Sequence, residues 1–255
     1  MHHPAELRLD GVTVDFGGLR ALKNISIHIT PGTVVGIIGP NGAGKTTLFN
    51  VICGLVAPTS GTINLGGTER KWPRPHELTE LGIARTVQGV GLFSELTVLE
   101  NLLVGANHLQ KRNFLKTLLG GGNKSENYIR QIAQELLNEL EISNFAETVA
   151  SQLPYPITKR VAIARALMCD PTTLLLDEPA GGLGSEDISW LKDFVAAKRD
   201  GRSILLVEHH MDVIMNVCDY IYVLNFGELI AHGTPAQIRE NPEVIAAYLG
   251  GDESL

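Results

Sequence analysis

The sequence predicts an α/β protein with a mostly parallel core sheet, an antiparallel β-layer before it and an inserted helical lobe. Three observations support this fold class. Apolar and polar residues alternate in the N-terminal part, short continuous apolar runs recur with helical patterns between them, and one long internal segment has helical periodicity without strand signals. Apolar runs separated by helices are typical of a parallel sheet that helices cover on both faces.

The antiparallel layer is predicted from the first part of the chain. Val12, Val14 and Phe16 alternate with polar residues, as expected of a half-buried strand. The same alternation recurs in SIHI at residues 26–29, and a Pro-Gly turn follows it. Two such strands, close together in the sequence, predict an antiparallel arrangement.

The parallel core is predicted from three apolar runs. VVGII at residues 34–38 is followed by glycine, TLLLD occupies residues 173–177, and SILLVEH occupies residues 203–209. Strands that are buried on both faces have continuous apolar sequences of this kind. A hairpin is expected around residues 225–227, with a short helix after it.

Residues of about 95–151 predict a helical lobe within the α/β core. LLGGGNKS at residues 118–125 predicts a flexible loop inside this lobe. We expect a single domain over residues 1–255, with a core of about 1–94 and 152–255. The helical interpretation rests on an apolar face with i, i+3, i+4, i+7 spacing, formed by Ile129, Ile132, Ala133, Leu136, Leu137 and Leu140.

Composition and charge argue against several classes of protein. The net charge of -7 disfavours broad electrostatic binding of nucleic acid, which needs a basic surface. Cys53, Cys169 and Cys218 have no CxxC spacing, so we expect three buried thiols in a reducing compartment rather than a metal site. Because no apolar run approaches the ~20 residues that span a bilayer, we expect a cytosolic chain.

GPNGAGKT at residues 39–46 fits the phosphate-binding pattern G-x-x-x-x-G-K-[ST], with an apolar strand before it and a helical pattern after it. Backbone N–H groups of such a P-loop converge on phosphates, Lys45 reaches the β- and γ-phosphates, and the Thr46 hydroxyl binds Mg²⁺. The alternative is a glycine-rich turn that only caps a helix, but such turns rarely have Lys-Thr at this register. The predicted nucleotide-binding residues are Gly39, Asn41, Gly42, Ala43, Gly44, Lys45, Thr46 and Thr47.

LLLDEP at residues 174–179 supplies two carboxylates at the end of a predicted strand. On a parallel strand neighbouring the P-loop, Asp177 is expected to hold the Mg²⁺ shell. Glu178 is then expected to orient and polarise the attacking water as a general base. Alone, this sequence is also compatible with a buried strand and a turn, and the P-loop favours the catalytic interpretation.

Together, GPNGAGKTT, the glutamine after ARTV, LLLDEP and VEHHM resemble the nucleotide-binding subunit of an ATP-binding cassette (ABC) transporter, over nearly the whole chain. DFGGLRALKNISIHI, ARTVQGVGLFSELTVLENLLVGANH and GTPAQIRENPEVIAAYLG look most like the subunits of branched-chain (hydrophobic) amino acid importers. The resemblance implies a single ABC ATPase domain with ATP and Mg²⁺ as cofactors. It also implies two such subunits in a head-to-tail sandwich that holds two ATP molecules between them.

The resemblance implies roles for three further residues. Phe16 matches the aromatic residue that stacks on adenine, where the alternative is an ordinary core Phe. Gln88 matches the glutamine that contacts Mg²⁺ and water and senses the membrane subunit, where the alternative is a solvated loop residue. His209 matches the histidine that bonds the γ-phosphate, where the alternative is a structural His. His210 stands where the family commonly has Asp, and we assign it no role.

The family's signature motif, L-S-G-G-Q or in this branch often L-S-Y-G-Q, corresponds here to a degenerate set: Leu153, Pro154, Tyr155, Pro156 and Ile157. Pro154 stands at the serine and Pro156 at the second glycine, and proline has no N–H to donate to a phosphate on the opposite chain. Gly184 also replaces the usual Asp or Asn after DEPAGGL. We therefore expect an asymmetric heterodimer with one strong and one weak site. The alternative is that Pro156 simply opens a helix at its first position.

The resemblance implies membrane permease subunits and a second ATPase subunit as partners, a substrate-binding protein indirectly, and a location on the cytoplasmic face of the membrane. Alternatives are a soluble ABC ATPase that acts in assembly or as a scaffold, and a mainly regulatory nucleotide-binding subunit. Intact Glu178 and His209 disfavour the regulatory alternative. A nucleic-acid repair ATPase would need a long coiled-coil insertion, which the sequence lacks.

Overall fold

The computed structural model describes residues 6–86, 91–106, 122–199 and 201–249. The chain divides into two compact units, which are Met1–Ile83 with Thr172–Leu255, and Ala84–Pro171. The first unit contains two β-sheets with helices, and the second unit is helical over its described residues apart from the end of one strand.

The strands, in chain order, are β1 (Leu7–Phe16), β2 (Leu19–Ile29), β3 (Val34–Ile38), β4 (Ser60–Leu65), β5 (Thr68–Arg70), β6 (Ile83–Arg85), β7 (Thr173–Asp177), β8 (Ser203–Val207), β9 (Tyr220–Asn225) and β10 (Glu228–Gly233). The described α-helices are α1 (Lys45–Ile52), α2 (Val98–Gly105), α3 (Gly122–Glu139), α4 (Tyr155–Leu167), α5 (Ser185–Lys198), α6 (Met211–Val217), α7 (Pro235–Arg239) and α8 (Pro242–Leu249).

The predicted antiparallel layer is confirmed as a four-stranded sheet of order β2-β1-β4-β5. Alternation along β1 buries Val12 and Val14, which are 0% and 1% exposed, against the core of the first unit. Gly17 and Gly18 form the two-residue turn between β1 and β2, so that Phe16 and Leu19 are register partners at the tip of this hairpin.

The core sheet is confirmed as mostly parallel, with the order β10-β9-β3-β8-β7-β6. β3 runs parallel to both β8 and β9, and β7 runs parallel to β8. Every residue of β3, β7 and β8 is buried, which explains their continuous apolar sequences. β10 pairs antiparallel with β9, and this pair is the predicted hairpin around residues 225–227.

Two sequence boundaries need correction. The strand predicted over residues 203–209 ends at Val207. The amides of His209 and His210 donate to the Glu208 carboxylate, so they do not form hydrogen bonds with a neighbouring strand. The flexible loop predicted over residues 118–125 is wrong at residues 122–125, which form the first turn of α3, while residues 118–121 lie outside the described ranges. Polar residues such as Asn and Ser are well tolerated in a first helical turn.

In the second unit, α2 begins at a capping box. Thr97 Oγ1 accepts from the Glu100 amide at 3.2 Å, and Glu100 Oε2 accepts from the Thr97 amide at 2.8 Å. The apolar face predicted for α3 is confirmed, since Ile129, Ala133 and Leu137 are buried. This face packs within the helical unit rather than against solvent.

The cysteine prediction holds for two of three residues. Cys53 and Cys218 are buried, whereas Cys169 is partly exposed, because it follows the end of α4 instead of lying within it. All three lie in the described part of the chain, and none of them forms a disulfide there. Within that same part, every helix is too short or too polar to cross a lipid bilayer.

Candidate nucleotide-binding site

A cavity of about 660 Å³ opens in the first unit, between the P-loop and two hairpin tips. Its walls come from the loop between β3 and α1, the β1–β2 hairpin, the β9–β10 hairpin and the residue after β7. The lining residues are Phe16, Leu19, Arg20, Ala21, Lys23, Asn41, Gly42, Ala43, Gly44, Lys45, Thr46, Thr47, Glu178, Phe226 and Gly227. Most of the predicted nucleotide-binding residues are therefore together in one cavity.

The P-loop joins the end of β3 to the N-terminus of α1. Lys45 is the first helical residue and only 6% exposed, and its Nζ donates to the carbonyl oxygens of Gly39 at 2.6 Å and Pro40 at 3.0 Å. The ammonium group is thus held against its own loop. Amide N–H groups at the start of α1 give this end of the cavity a positive potential that suits an anion.

Gly39 itself does not line the cavity, although it shapes the loop. Its φ is 151°, and a Cβ at this position would lie 2.1 Å from the carbonyl oxygen of Leu224 on β9. Only glycine lets the P-loop approach the neighbouring strand this closely.

The two acidic residues follow the order predicted at the end of β7. Asp177 ends the strand and is 7% exposed, whereas Glu178 has a φ of 47° and lines the cavity. The Glu178 amide donates to the Val207 carbonyl of β8 at 2.9 Å, which fixes the turn that directs this residue. Asp177 is not among the described residues that line the cavity.

The acidic strand β7 is parallel to the P-loop strand β3, as predicted, but is not paired with it directly. β8 lies between β3 and β7, so Asp177 is one strand further away. A crossover connection can insert a later strand between two earlier ones, and no local pattern of residues reveals this. Since β3, β8 and β7 are parallel, their carboxyl ends still meet at one edge of the sheet.

His209 lies two residues beyond β8 at this same edge. Its side chain is 46% exposed, and it does not belong to the described set that lines the cavity. The His209 and His210 rings are 4.4 Å apart between centroids. Its predicted role at the γ-phosphate stays a prediction.

Glu208 was not predicted as a site residue and organises the turns around His209 and Glu178. Its fully buried carboxylate accepts the Ala180 amide at 2.6 Å through Oε1, and the His209 and His210 amides at 3.0 and 3.2 Å through Oε2. Potential ligand atoms of Glu208, His209 and His210 lie within 4.8 Å of one another. Since three amide donors already surround the carboxylate, this arrangement favours a structural role for Glu208 over metal binding.

Six residues of the cavity lining were also missed, and among them Leu19 and Phe226 are large exposed apolar residues. The Phe-Gly pair at residues 226–227 stands where a two-residue hairpin turn usually has Asn-Gly. This unusual Phe was the one feature of the sequence that could have marked the turn as a site residue. Phe16 is 50% exposed, in contrast to the buried Val14 on the same strand, so it is not an ordinary core residue. Gln88 lies outside the described residues.

The degenerate signature segment, which begins with Leu153, leads into α4 in the second unit. Pro154 precedes the helix, Tyr155 is its first residue and Pro156 is its second. The alternative interpretation places Pro156 at the first helical position. The first intrahelical bond runs from the Thr158 amide to the Pro154 carbonyl at 3.1 Å. Over residues 154–157, only Tyr155 and Ile157 have an amide N–H.

Gly184 precedes α5 and has an extended backbone, with φ -78° and ψ 171°. A Cβ at this residue would meet no described atom within 4 Å, so the packing here does not require glycine. An Asp or Asn at this position could cap the helix, which glycine does less well.

Comparison with known proteins places these features in a family. The family described as "ABC transporter" matches residues 22–181, and the one described as "Branched-chain amino acid ATP-binding cassette transporter" matches residues 228–254. The chain is 42% identical to the high-affinity branched-chain amino acid transport ATP-binding protein BraF of Pseudomonas aeruginosa, over 96% of this chain and 97% of that protein. Identity to LivG of Escherichia coli strain K12, which has the same descriptive name, is also 42%, with the same shares covered.

A solved structure supports the same assignment. The crystal structure of a nucleotide-free ATP-binding cassette from an ABC transporter superposes with a TM-score of 0.84 at 31% identity, covering 97% of this chain and all of that one. The similarity extends over both units of the chain, so it is not confined to the P-loop. The chain is therefore an ATPase of the ABC transporter family and resembles its branched-chain amino acid transport ATP-binding proteins.

Proposed function

We propose that this chain energises the import of branched-chain or other hydrophobic amino acids by hydrolysing ATP at the cytoplasmic face of a membrane. The observation that carries this proposal is the cavity in which the P-loop and Glu178 occur together. The names of relatives that are 42% identical over 96% of the chain support the class of cargo. The partners would be membrane permeases, with a substrate-binding protein involved indirectly and no nucleic acid.

In the proposed mechanism, the amides of the P-loop and Lys45 bind the phosphates of ATP, and Phe16 contacts the adenine. The Thr46 hydroxyl, the buried Asp177 carboxylate and Gln88 are oxygen donors of the kind that Mg²⁺ prefers, so these residues fit the ion. Bound Mg²⁺ would neutralise charge on the phosphates. These ligand assignments rest on the motif positions and on the burial of Asp177.

Glu178 would orient the attacking water and accept its proton, since this residue lines the cavity that contains the P-loop. His209 would donate a hydrogen bond to the γ-phosphate. Glu208 would hold the backbone of both turns through its three amide bonds. The catalytic set proposed is thus Glu178, His209, Gln88 and Lys45, in one ABC ATPase domain over residues 1–255.

The test is amino acid uptake by cells that lack the chain and are complemented with variants. Wild-type protein should restore uptake of labelled leucine, and Glu178→Gln should lower the rate roughly 100-fold or more. Glu186→Gln, an exposed carboxylate in the first turn of α5, is the matched control and should behave as wild type. Full leucine uptake with Glu178→Gln would contradict the catalytic role of Glu178. Unchanged leucine uptake in cells that lack the chain would contradict the proposal that leucine is among its cargo.

We further propose that the partner ATPase is a different chain. The start of α4 has only two amide N–H groups over residues 154–157, so it would stabilise a phosphate on the opposite chain poorly. Gly184 also lacks a side chain to contact that chain. By contrast, the P-loop side keeps its full set of expected residues. This asymmetry supports a heterodimer with one strong and one weak site.

Restoring the signature tests this asymmetry. Pro154→Ser with Pro156→Gly adds one hydroxyl and two amide donors, and should raise ATP hydrolysis by the assembled complex roughly tenfold at the weak site. Pro242→Ser, at the first position of α8, is a matched control for removing a helix-opening proline and should leave the rate unchanged. An unchanged rate in the double variant would show that these prolines do not limit hydrolysis.

A further inference from the structure

Phe226 occupies a backbone position that suits few side chains. It is the first of two residues in the turn between β9 and β10, with a φ of 46°, and Gly227 follows with a φ of 76°. Positive φ at both central residues is the pattern of a type I′ turn, in which Asn, Asp and Gly predominate. A bulky aromatic residue is unfavourable there, and 79% of Phe226 is also exposed. Such an outlier points to a use for the ring.

The turn is fixed against the nucleotide cavity from two sides. The Gly227 amide donates to the Ala43 carbonyl of the P-loop at 3.0 Å, and the Gly227 carbonyl accepts from the Lys23 amide of β2 at 2.7 Å. An ion pair between Lys23 Nζ and Glu228 Oε1 at 2.8 Å adds a third connection. The position of Phe226 at the cavity wall is therefore determined by the P-loop and by the β1–β2 hairpin.

Other exposed apolar side chains line the same cavity. Phe16 and Leu19 are register partners at the tip of the β1–β2 hairpin, and they are 50% and 68% exposed. Together with Phe226, they line the same cavity as the polar P-loop. A cavity lined both by a P-loop and by exposed apolar side chains matches a nucleotide, which has an anionic end and a flat base.

We propose that Phe226 is a second base-contacting residue, which packs on the adenine of the ATP bound by this same chain and contributes to the preference for a base-bearing ligand. The inference rests on the proposed function, in which the P-loop binds the phosphates and Phe16 contacts the adenine. The two aromatic residues come from separate hairpins, and both hairpins are held in place by backbone bonds. An aromatic contact of this kind adds to affinity without contacting the phosphates.

The test compares a ligand with a base and one without. Binding of ATP and of inorganic tripolyphosphate to the full chain is measured by titration calorimetry with Mg²⁺, for wild type and Phe226→Asn. Asn suits the turn, so the variant should fold with an equal or higher melting temperature. Its affinity for ATP should fall roughly 3- to 10-fold, and its affinity for tripolyphosphate should not change.

Leu55→Asn is the matched control, because Leu55 is a 48% exposed apolar residue outside the cavity lining, and it should change neither affinity. An unchanged affinity of Phe226→Asn for ATP overturns the inference. An equal loss of affinity for ATP and tripolyphosphate also overturns it, because the substitution would then change the phosphate site of the P-loop and not a contact with the base. If wild-type protein binds neither ligand, the proposed function fails, and the inference fails with it.

Discussion

At the scale of single residues, Glu208 connects the turns that contain the proposed catalytic groups. Its carboxylate is fully buried and accepts three amide bonds from the turns after β7 and β8. Sequence reasoning did not single it out, because it placed Glu208 inside the strand predicted over residues 203–209 and assigned it no role. Its importance depends on two turns that only the fold brings together.

We predict that Glu208→Gln lowers the free energy of unfolding by about 1–3 kcal/mol, because the amide group of Gln places a donor against amide donors. ATP hydrolysis should fall with it, since both turns lose an anchor. Urea denaturation and steady-state ATPase assays measure the two effects. Glu69→Gln on the exposed strand β5 is the control and should stay within about 0.5 kcal/mol of wild type. Wild-type stability in Glu208→Gln would refute this role of the carboxylate.

Cys218 gives a second prediction at this scale. Burial, and secondarily the charge of Asp219, raise the pKa of the Cys218 thiol above its ordinary value of 9.0. The unfolded chain therefore loses this proton at a lower pH than the folded chain, so the free energy of unfolding falls as the pH rises. Between about pH 8 and about pH 10, the decrease should be steeper in wild type than in Cys218→Ala. Equal slopes in urea denaturation would contradict the prediction, and Cys169→Ala serves as the control.

At the scale of elements, the junction between β3 and α1 depends on how closely the P-loop approaches β9. Gly39→Ala would place a methyl group against the Leu224 carbonyl, at a separation of 2.1 Å before any adjustment. We expect a loss of about 1–3 kcal/mol in urea denaturation and weaker ATP binding, since the loop must shift. Gly18→Ala, whose Cβ would meet no described atom within 4 Å, should change stability by less than about 0.5 kcal/mol. If Gly39→Ala and Gly18→Ala have the same free energy of unfolding, the close approach of Gly39 to Leu224 does not limit stability.

The start of α4 combines a regular helix terminus with the proposed loss of a function at a partner's ATP. Prolines before the helix and at its second residue fit the first turn, where amide groups have no intrahelical acceptor, so the helix forms normally. The same substitutions remove amide donors from the end of the helix that the resemblance assigns to a partner's ATP. We therefore expect changes at Pro154 and Pro156 to affect a partner's ATP hydrolysis more than the stability of this helix.

Sequence reasoning predicted elements well where one local pattern sufficed. β3 and β7 match their predicted bounds, because strands buried on both faces need continuous apolar residues. It could not predict that β8 lies between β3 and β7, since strand order depends on crossovers. It also missed Phe226, whose turn is bonded to the P-loop and to β2, both distant in the sequence.

At the scale of the whole molecule, the proposed heterodimer depends on the difference between the P-loop site and the signature segment that the chain would offer a partner ATPase. The chain has a P-loop site suited to ATP, whereas we propose that its own α4 terminus complements a second copy poorly, so we expect it to need a different ATPase subunit. ATP should therefore bind without producing a stable homodimer. A homodimer would instead require residues 153–157 to act as a working signature.

The most direct measurement is the molar mass of purified Glu178→Gln protein by light scattering, with and without ATP and Mg²⁺. Blocking hydrolysis should trap any closed sandwich, so a homodimer would accumulate if this chain could form one. Calorimetry on the same samples establishes that ATP is bound. We predict the mass of a monomer in both conditions, and a doubling of the mass with ATP would contradict the proposed heterodimer.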